Sequence, residues 1–274
     1  MEQQIKINAG TVQETLLLPL WGRAYETEKE SPRLVDRKAV EIIESLDYDF
    51  STISETQTFS QHGWVARSLH TDQVANEFIR KHPEATIVNI GCGLDTTFSR
   101  IDNGKILFYE LDFPEVIDLR KDFYEDSDRH RSIASSFLET DWFNDIEVGD
   151  GLLFLAGGVF MYFNEAQIKA FFTEVADHFK NCDFYFDSLS PMGIKIAKKM
   201  VLKKGGMGMA MDGGWGLKPV KSLEKWDRRI RVNSSTPMHQ GVKKGIPLKE
   251  KIILSMPDLL GICSMVHVTI ESRA

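Results

Sequence analysis

Residues 85–95 read Ala-Thr-Ile-Val-Asn-Ile-Gly-Cys-Gly-Leu-Asp, and no other stretch constrains the fold as strongly. Thr86 to Ile90 is short, rich in β-branched residues and almost wholly apolar, the pattern of a strand covered on both faces of a parallel sheet. The run stops at Gly91-Cys92-Gly93. Two glycines one residue apart let the backbone turn sharply and come close to a ligand. Asp95-Thr96-Thr97 then supplies short polar side chains of the kind that start helices. Strand, glycine bend and helix start together build a nucleotide-sized cradle at the carboxyl end of a central strand.

The rest of the chain supplies the sheet around that strand. Apolar runs at 105–111, 132–137, 151–156 and 183–187 predict further strands, 229–233 another, and 265–270 a final one that pairs antiparallel. Helical patterns lie between them, with Pro114 at a first helical position and Asn164 as a cap. Strands alternating with helices give a doubly wound α/β sheet with helices on both faces. Residues 11–80 read mostly as helix: a first segment interrupted by Pro19, a second opened by Ser31-Pro32-Arg33, and a third over 64–80 ended by His82-Pro83. The expected organisation is one domain over 1–274, a helical cap at 1–82 on a Rossmann-like core at 83–274. Residues 205–216 hold six glycines and three methionines and read as a loop, either a lid over the pocket or a surface loop without a role.

Charge and composition narrow the function. The net charge of −7 argues against non-specific nucleic-acid binding. The amino terminus has no apolar signal core, and the longest apolar stretch, 152–163, is too short to span a bilayer. Cys92, Cys182 and Cys263 are far apart and show no metal-ligand spacing. A soluble cytoplasmic protein without a metal site is the expectation.

The chemistry follows from what surrounds the glycine bend. Asp112 lies 19 residues past Gly93, the spacing of a carboxylate that accepts hydrogen bonds from ribose hydroxyls; Glu110, on the same side of its strand, is the alternate. Asp141 and Trp142 follow the third strand and suit an adenine clamp, or else a helix-start acid beside a core tryptophan. A dinucleotide site normally has a third glycine three residues past the second, and this chain has Thr96 there. A donor without phosphates, S-adenosylmethionine, is therefore favoured over a nicotinamide dinucleotide. Trp21, Tyr25, Met161, Tyr162 and Trp215 are candidates for the wall of an acceptor pocket, with core packing the alternative for the aromatic residues.

NIGCGLDTTFSR followed by YELDFPEV resembles the leucine carboxyl methyltransferase family, especially its tetracenomycin-type polyketide O-methyltransferase branch. TLLLPLWGRAYE, SLDYDF, VARSLHTDQ and GGVFMYFNEAQIKAFF are similar to that branch and occur in the same order. The resemblance implies a class I S-adenosylmethionine-dependent methyltransferase fold, a seven-stranded mostly parallel sheet whose last strand is antiparallel. It implies that Arg67 pairs with the donor carboxylate, that Gly91 and Gly93 lie against the donor, that Asp112 holds ribose, and that Asp141 and Trp142 hold adenine; Asp95 is a further donor-binding candidate, able to take over where Gly157 offers no side chain. It also implies O-methylation of a small-molecule acceptor bearing a carboxylate or a phenol, with S-adenosylhomocysteine as the product. The chain departs from the pattern after the fourth strand, where the family has Ala-Glu and this chain has Ala156-Gly157. That missing carboxylate keeps open a reading as a donor-binding protein of weak turnover. His62, His70 and His239 are candidate bases, none of which the residues single out, so no catalytic base is assigned. Thermal unfolding separates the donor classes. S-adenosylhomocysteine at about a hundred times its Kd is expected to stabilise the protein by ~2.7 kcal/mol and raise Tm by several degrees, while NAD leaves Tm unchanged.

Overall fold

The computed structural model describes residues 5–6, 12–203 and 214–271. Seven strands form the main sheet: β1 (Thr86–Ile90), β2 (Leu107–Asp112), β3 (His130–Ala134), β4 (Leu152–Ala156), β5 (Cys182–Leu189), β6 (Ile230–Pro237) and β7 (Cys263–Ile270). Their order across the sheet is β3-β2-β1-β4-β5-β7-β6. All neighbouring pairs are parallel except those made by β7, which runs antiparallel to both β5 and β6. The chain leaves β1 toward β2 on one side and returns to β4 on the other, so the crevice at the carboxyl ends of β1 and β4 is the topological switch point.

Side-chain alternation explains why β1 is apolar throughout. Val88 and Ile90 point into an aromatic layer with Phe154, Phe172 and Phe184; Ile87 points the other way, toward Ala66, Ala75 and Ile79. The aromatic layer is closed by helix α7 (Glu165–His178), whose cap Asn164 accepts from the Gln167 N–H in a full capping box. In order before it come α1 (Val12–Thr27), α2 (Arg37–Ser45), α3 (Ser51–Thr56), α4 (Thr58–Lys81), α5 (Thr97–Ile101) and α6 (Pro114–Arg120); after it come α8 (Pro191–Lys203) and α9 (Leu248–Leu259). The stretch expected as a cap therefore divides in two. Helix α4 covers one face of the sheet, whereas α1 and α2 pack with Leu94 and Leu119 beside the glycine bend.

Several boundaries differ from expectation. Pro32 does not open the second helix; Asp36 does, its side chain accepting from the Ala39 N–H. Strand β3 ends at Ala134, so Ser135, Ser136 and Phe137 leave the sheet. Gly214, Trp215 and Gly216 belong to the described chain, whereas the remainder of the glycine- and methionine-rich stretch lies outside the described residues. Among the described residues no helix is long and apolar enough to cross a membrane.

A buried ionic cluster joins the amino-terminal helices to the core. Asp36, with no side-chain exposure, accepts from Arg23 Nε at 2.9 Å, from Arg100 Nη1 at 2.7 Å and from the Thr96 hydroxyl. Arg100 also reaches Asp72 on α4 at 2.7 Å, and Arg23 Nη2 donates to the Leu94 carbonyl at 2.9 Å. Removing one partner from such a cluster leaves buried charge uncompensated. Asp36→Ala is thus expected to lower unfolding stability by about 3–5 kcal/mol, read as a lower urea midpoint.

Candidate donor and acceptor site

The glycine bend is built from positive-φ backbone. Gly91 has φ +61° and Gly93 φ +50°. A Cβ at Gly91 would stand 2.5 Å from Val159 Cγ2, and one at Gly93 would stand 3.0 Å from Leu16 Cδ2. Only glycine therefore fits Gly91 in both conformation and space. From below, Arg120 on α6 donates to the Gly93 carbonyl at 2.7 Å and the Asp95 carbonyl at 3.0 Å, and pairs with Glu110 at 2.7 Å. Glu110 also accepts from Asn89 Nδ2 at 2.9 Å.

Above the bend lies a cavity of about 430 Å³. It is lined by the bend, by Asp112 and Phe113 after β2, by Ser135, Ser136 and Phe137 after β3, and by residues 157–159 and 161–163 after β4. Two helices close it. From α4 come Trp64, Arg67, Ser68 and Thr71, a single stripe at helical spacing; from α1 come Leu16, Pro19 and Arg23 among others.

Asp112 is fixed at the cavity wall. Its Oδ2 accepts from the Gly93 N–H at 2.8 Å and its Oδ1 from the Phe113 N–H at 2.7 Å. Burial raises its carboxyl above the ordinary value, against those two N–H groups, which pull it down. Asp95 lies on the other limb of the bend, held by Asn89 Nδ2 at 3.1 Å and the Thr97 N–H at 3.2 Å. Burial pushes its carboxyl up, but the Arg23 and Arg100 guanidinium charges and hydrogen bonds at Thr97 and Thr96 outweigh this and hold it down to about 2. Arg67 donates through Nη2 to Asp187 Oδ2 at 3.0 Å, and its Nε is buried with no partner among the described residues. Burial raises the Tyr162 phenol, the first of several effects on it, so this side chain is a neutral hydroxyl at neutral pH.

Of the residues singled out from sequence, Arg67, Gly91, Gly93, Asp95, Asp112, Gly157, Met161 and Tyr162 meet at this cavity. Six others do not line it. Glu110 is one strand alternation deeper and is consumed by Arg120 and Asn89. Asp141 is exposed, and Trp142 is packed against Phe143 and Phe154 in the core, because β3 ends earlier than its apolar pattern suggests and Ser136-Phe137 takes the place beside the cavity. Trp21 and Tyr25 stack on each other, ring centroids 5.0 Å apart, and neither lines the cavity. Trp215 is 6% exposed, its N–H bonded to the Phe163 carbonyl and its ring against Trp226.

The sequence reading missed Arg23, Trp64, Ser136 and Phe137. The spacing 64, 67, 68, 71 on α4 was a usable signal for Trp64; Arg23 carried none, because only the fold brings α1 to the bend. The candidate bases are also placed elsewhere. His62 lies between Glu250 and Arg33, His70 bonds the Met238 carbonyl, and His239 pairs with Asp258. Thr96, standing where a dinucleotide site has glycine, is buried and engaged by Asp36 and Arg100.

A doubly wound sheet of this strand order, a glycine bend at its switch point and an acid at the end of the next strand define the class I methyltransferase fold. The leucine carboxyl methyltransferase family matches residues 17–176. The tetracenomycin polyketide synthesis O-methyltransferase TcmP of Streptomyces glaucescens is 32% identical over 215 residues, 78% of each chain. The S-adenosyl-L-methionine-dependent methyltransferase dpfgK of Gibberella zeae is 24% identical over 192 residues, covering 64% of each chain. Among solved structures, a candidate methyltransferase from Thermobifida fusca YX superposes with TM-score 0.59 over 92% of this chain and 94% of its own, at 9% identity, which bears on the fold alone. The chain belongs to the leucine carboxyl methyltransferase family, and it is an S-adenosylmethionine-dependent methyltransferase. The nicotinamide reading does not survive this assignment.

Two measurements test the bend. Gly91→Ala is expected to cost about 1–3 kcal/mol of stability from the forced backbone conformation and to weaken S-adenosylhomocysteine binding at least ~tenfold by calorimetry. Asp95, whose folded carboxyl lies below its unfolded value of about 4, contributes stability that is complete above that pH and is lost as pH falls toward about 2. Asp95→Asn should therefore flatten the acid limb of the stability profile between about pH 4 and pH 2.

Proposed function

We propose that the cavity holds S-adenosylmethionine across the glycine bend and that the acceptor is a small, largely apolar molecule carrying a carboxylate. Three features of the chain fit the donor. Arg67 brings a guanidinium to the cavity wall, a cation that suits the donor's carboxylate. Asp112, fixed by two backbone N–H groups, keeps lone pairs for ribose hydroxyls. Gly91 and Gly93 leave room that a side chain would fill. Ser136 and Phe137, rather than Asp141 and Trp142, would flank the adenine. Bound there, the donor supplies an electrophilic methyl group on a sulfonium.

The observation that carries the acceptor assignment is the set of ionisable groups on the wall. Among the described residues they are Arg23, Arg67, Asp95, Asp112, Cys92 and Tyr162, with no histidine. Burial drives the Cys92 thiol well above its ordinary value, Tyr162 is raised, and Asp95 is too weak a base at about 2 to take a phenolic proton. An acceptor that is ionised without help, a carboxylate, needs none of them. Leu16, Pro19, Trp64, Met161 and Phe163 present the apolar surface that excludes water and orients a flat acceptor. The likeness to an O-methyltransferase of polyketide synthesis directs the search to polyketide-like acids in secondary metabolism, with phenols as the second reading.

The test is methyl transfer across a panel of aromatic and polyketide-like carboxylic acids, giving methyl esters, and phenols, giving methyl ethers, followed against pH. With a carboxylate acceptor, kcat/KM should stay flat within about twofold from pH 6 to 9, since the acid is already ionised. A phenol acceptor would give a rise of nearly tenfold per pH unit below its pKa of about 10, and that slope would overturn the carboxylate assignment. Asp112→Ala is expected to raise the Kd for S-adenosylhomocysteine by roughly 10–100-fold through loss of a charge-assisted acceptor.

A further inference from the structure

Gly157 stands where the resemblance places a donor-contacting glutamate, and the structure shows what occupies that space. A Cβ at Gly157 would stand 3.1 Å from Arg67 Cδ, and one at Gly158 would stand 2.7 Å from Arg67 Nη1. Gly158 has φ +79°, a conformation that favours glycine. The two glycines after β4 therefore form a seat on which the Arg67 side chain lies. A carboxylate is present at this end of the sheet after all, but it comes from the next strand. Asp187, near the carboxyl end of strand β5, has no side-chain exposure; its Oδ2 takes Arg67 Nη2 at 3.0 Å and its Oδ1 takes the Gly158 N–H. Asp187 does not line the cavity, and Arg67 does.

We infer that Asp187 is a positioning residue for donor binding: with Gly157 and Gly158 it locks the Arg67 guanidinium at the cavity wall, where it meets the donor's carboxylate. The inference rests on the donor reading above. The physical logic is that a guanidinium on a flexible stem loses rotamer freedom when it binds an anion, and a buried ionic bond at Nη2 meets that cost before the ligand arrives. The fixed fork then meets the carboxylate with directed N–H groups. Because Asp187 spends both oxygens on Gly158 and Arg67, it acts only through Arg67 and makes no contact with adenosine.

Two probes separate positioning from simple structural support. S-adenosylhomocysteine carries the carboxylate; 5′-methylthioadenosine has the same nucleoside and lacks it. Asp187→Asn is nearly isosteric and keeps one acceptor, so either the Gly158 N–H or Arg67 Nη2 loses its bond, and the charge is gone. By calorimetry this variant is expected to bind S-adenosylhomocysteine about 10–30-fold more weakly and methylthioadenosine within about twofold of the parent. Equal weakening of both ligands would mean general damage to the fold and would overturn the inference, as would unchanged binding of both. If Asp187→Asn fails to fold by circular dichroism, Arg67→Lys decides the matter: it keeps the charge, loses the fork and should show the same ligand-selective loss. Parent protein that binds neither probe would instead refute the donor reading itself.

Discussion

The bend at Gly91–Gly93 is held from both sides by buried guanidinium groups, and the rest of the structure depends on that clamp. Arg120 donates to the Gly93 and Asp95 carbonyls from α6, and Arg23 donates to the Leu94 carbonyl from α1. A loop of glycines is soft on its own, because glycine has more backbone freedom to lose than any other residue. Here the carbonyls that such a bend would leave unpaired are taken by charged donors, each neutralised by its own buried acid: Glu110 for Arg120, Asp36 for Arg23. The cradle is thereby made rigid before a ligand reaches it.

The same arrangement decides how the amino-terminal helices behave. Asp36 pairs with Arg23 from α1 and Arg100 from α5, caps α2, and takes the Thr96 hydroxyl. The residue that replaces the third glycine of a dinucleotide site is thus spent on anchoring the helices that close the cavity. With α4 forming one covering layer of the sheet and α1 bound to the bend through buried charge, these helices form part of the cavity wall.

Electrostatically the cavity is divided. Arg67, seated on Gly157-Gly158 and tied to Asp187, marks a cationic end, and Asp112 marks an anionic one. Between them lie the apolar side chains of α1, α4 and the segment after β4, and among the described residues no histidine lines the cavity. Such a site favours positioning and desolvation over proton transfer. Gly157 and Gly158 carry no side chain at this wall, and Arg67 lies against them.

The amino-acid sequence alone was enough for the doubly wound fold and the glycine bend, and it singled out Asp112 and, through family resemblance, Arg67, both of which line the cavity. These are local or periodic signals: a buried strand is apolar at every position, a sharp bend needs glycine, and an acid at a strand end keeps a fixed distance from that bend. It did not reveal that Glu110 is paired beneath the bend, that Ser136 and Phe137 rather than Asp141 and Trp142 line the cavity, or that Trp21, Tyr25 and Trp215 face packing partners. Those outcomes hinge on where β3 stops and on which side of a helix meets the sheet, and both are settled by long-range packing. The Arg23–Asp36–Arg100 cluster and the Arg67–Asp187 pair join residues 13 to 120 positions apart. Most of these pairs span far more chain than a local sequence pattern covers; only the folded chain brings their charges together, and burial makes that meeting energetically decisive.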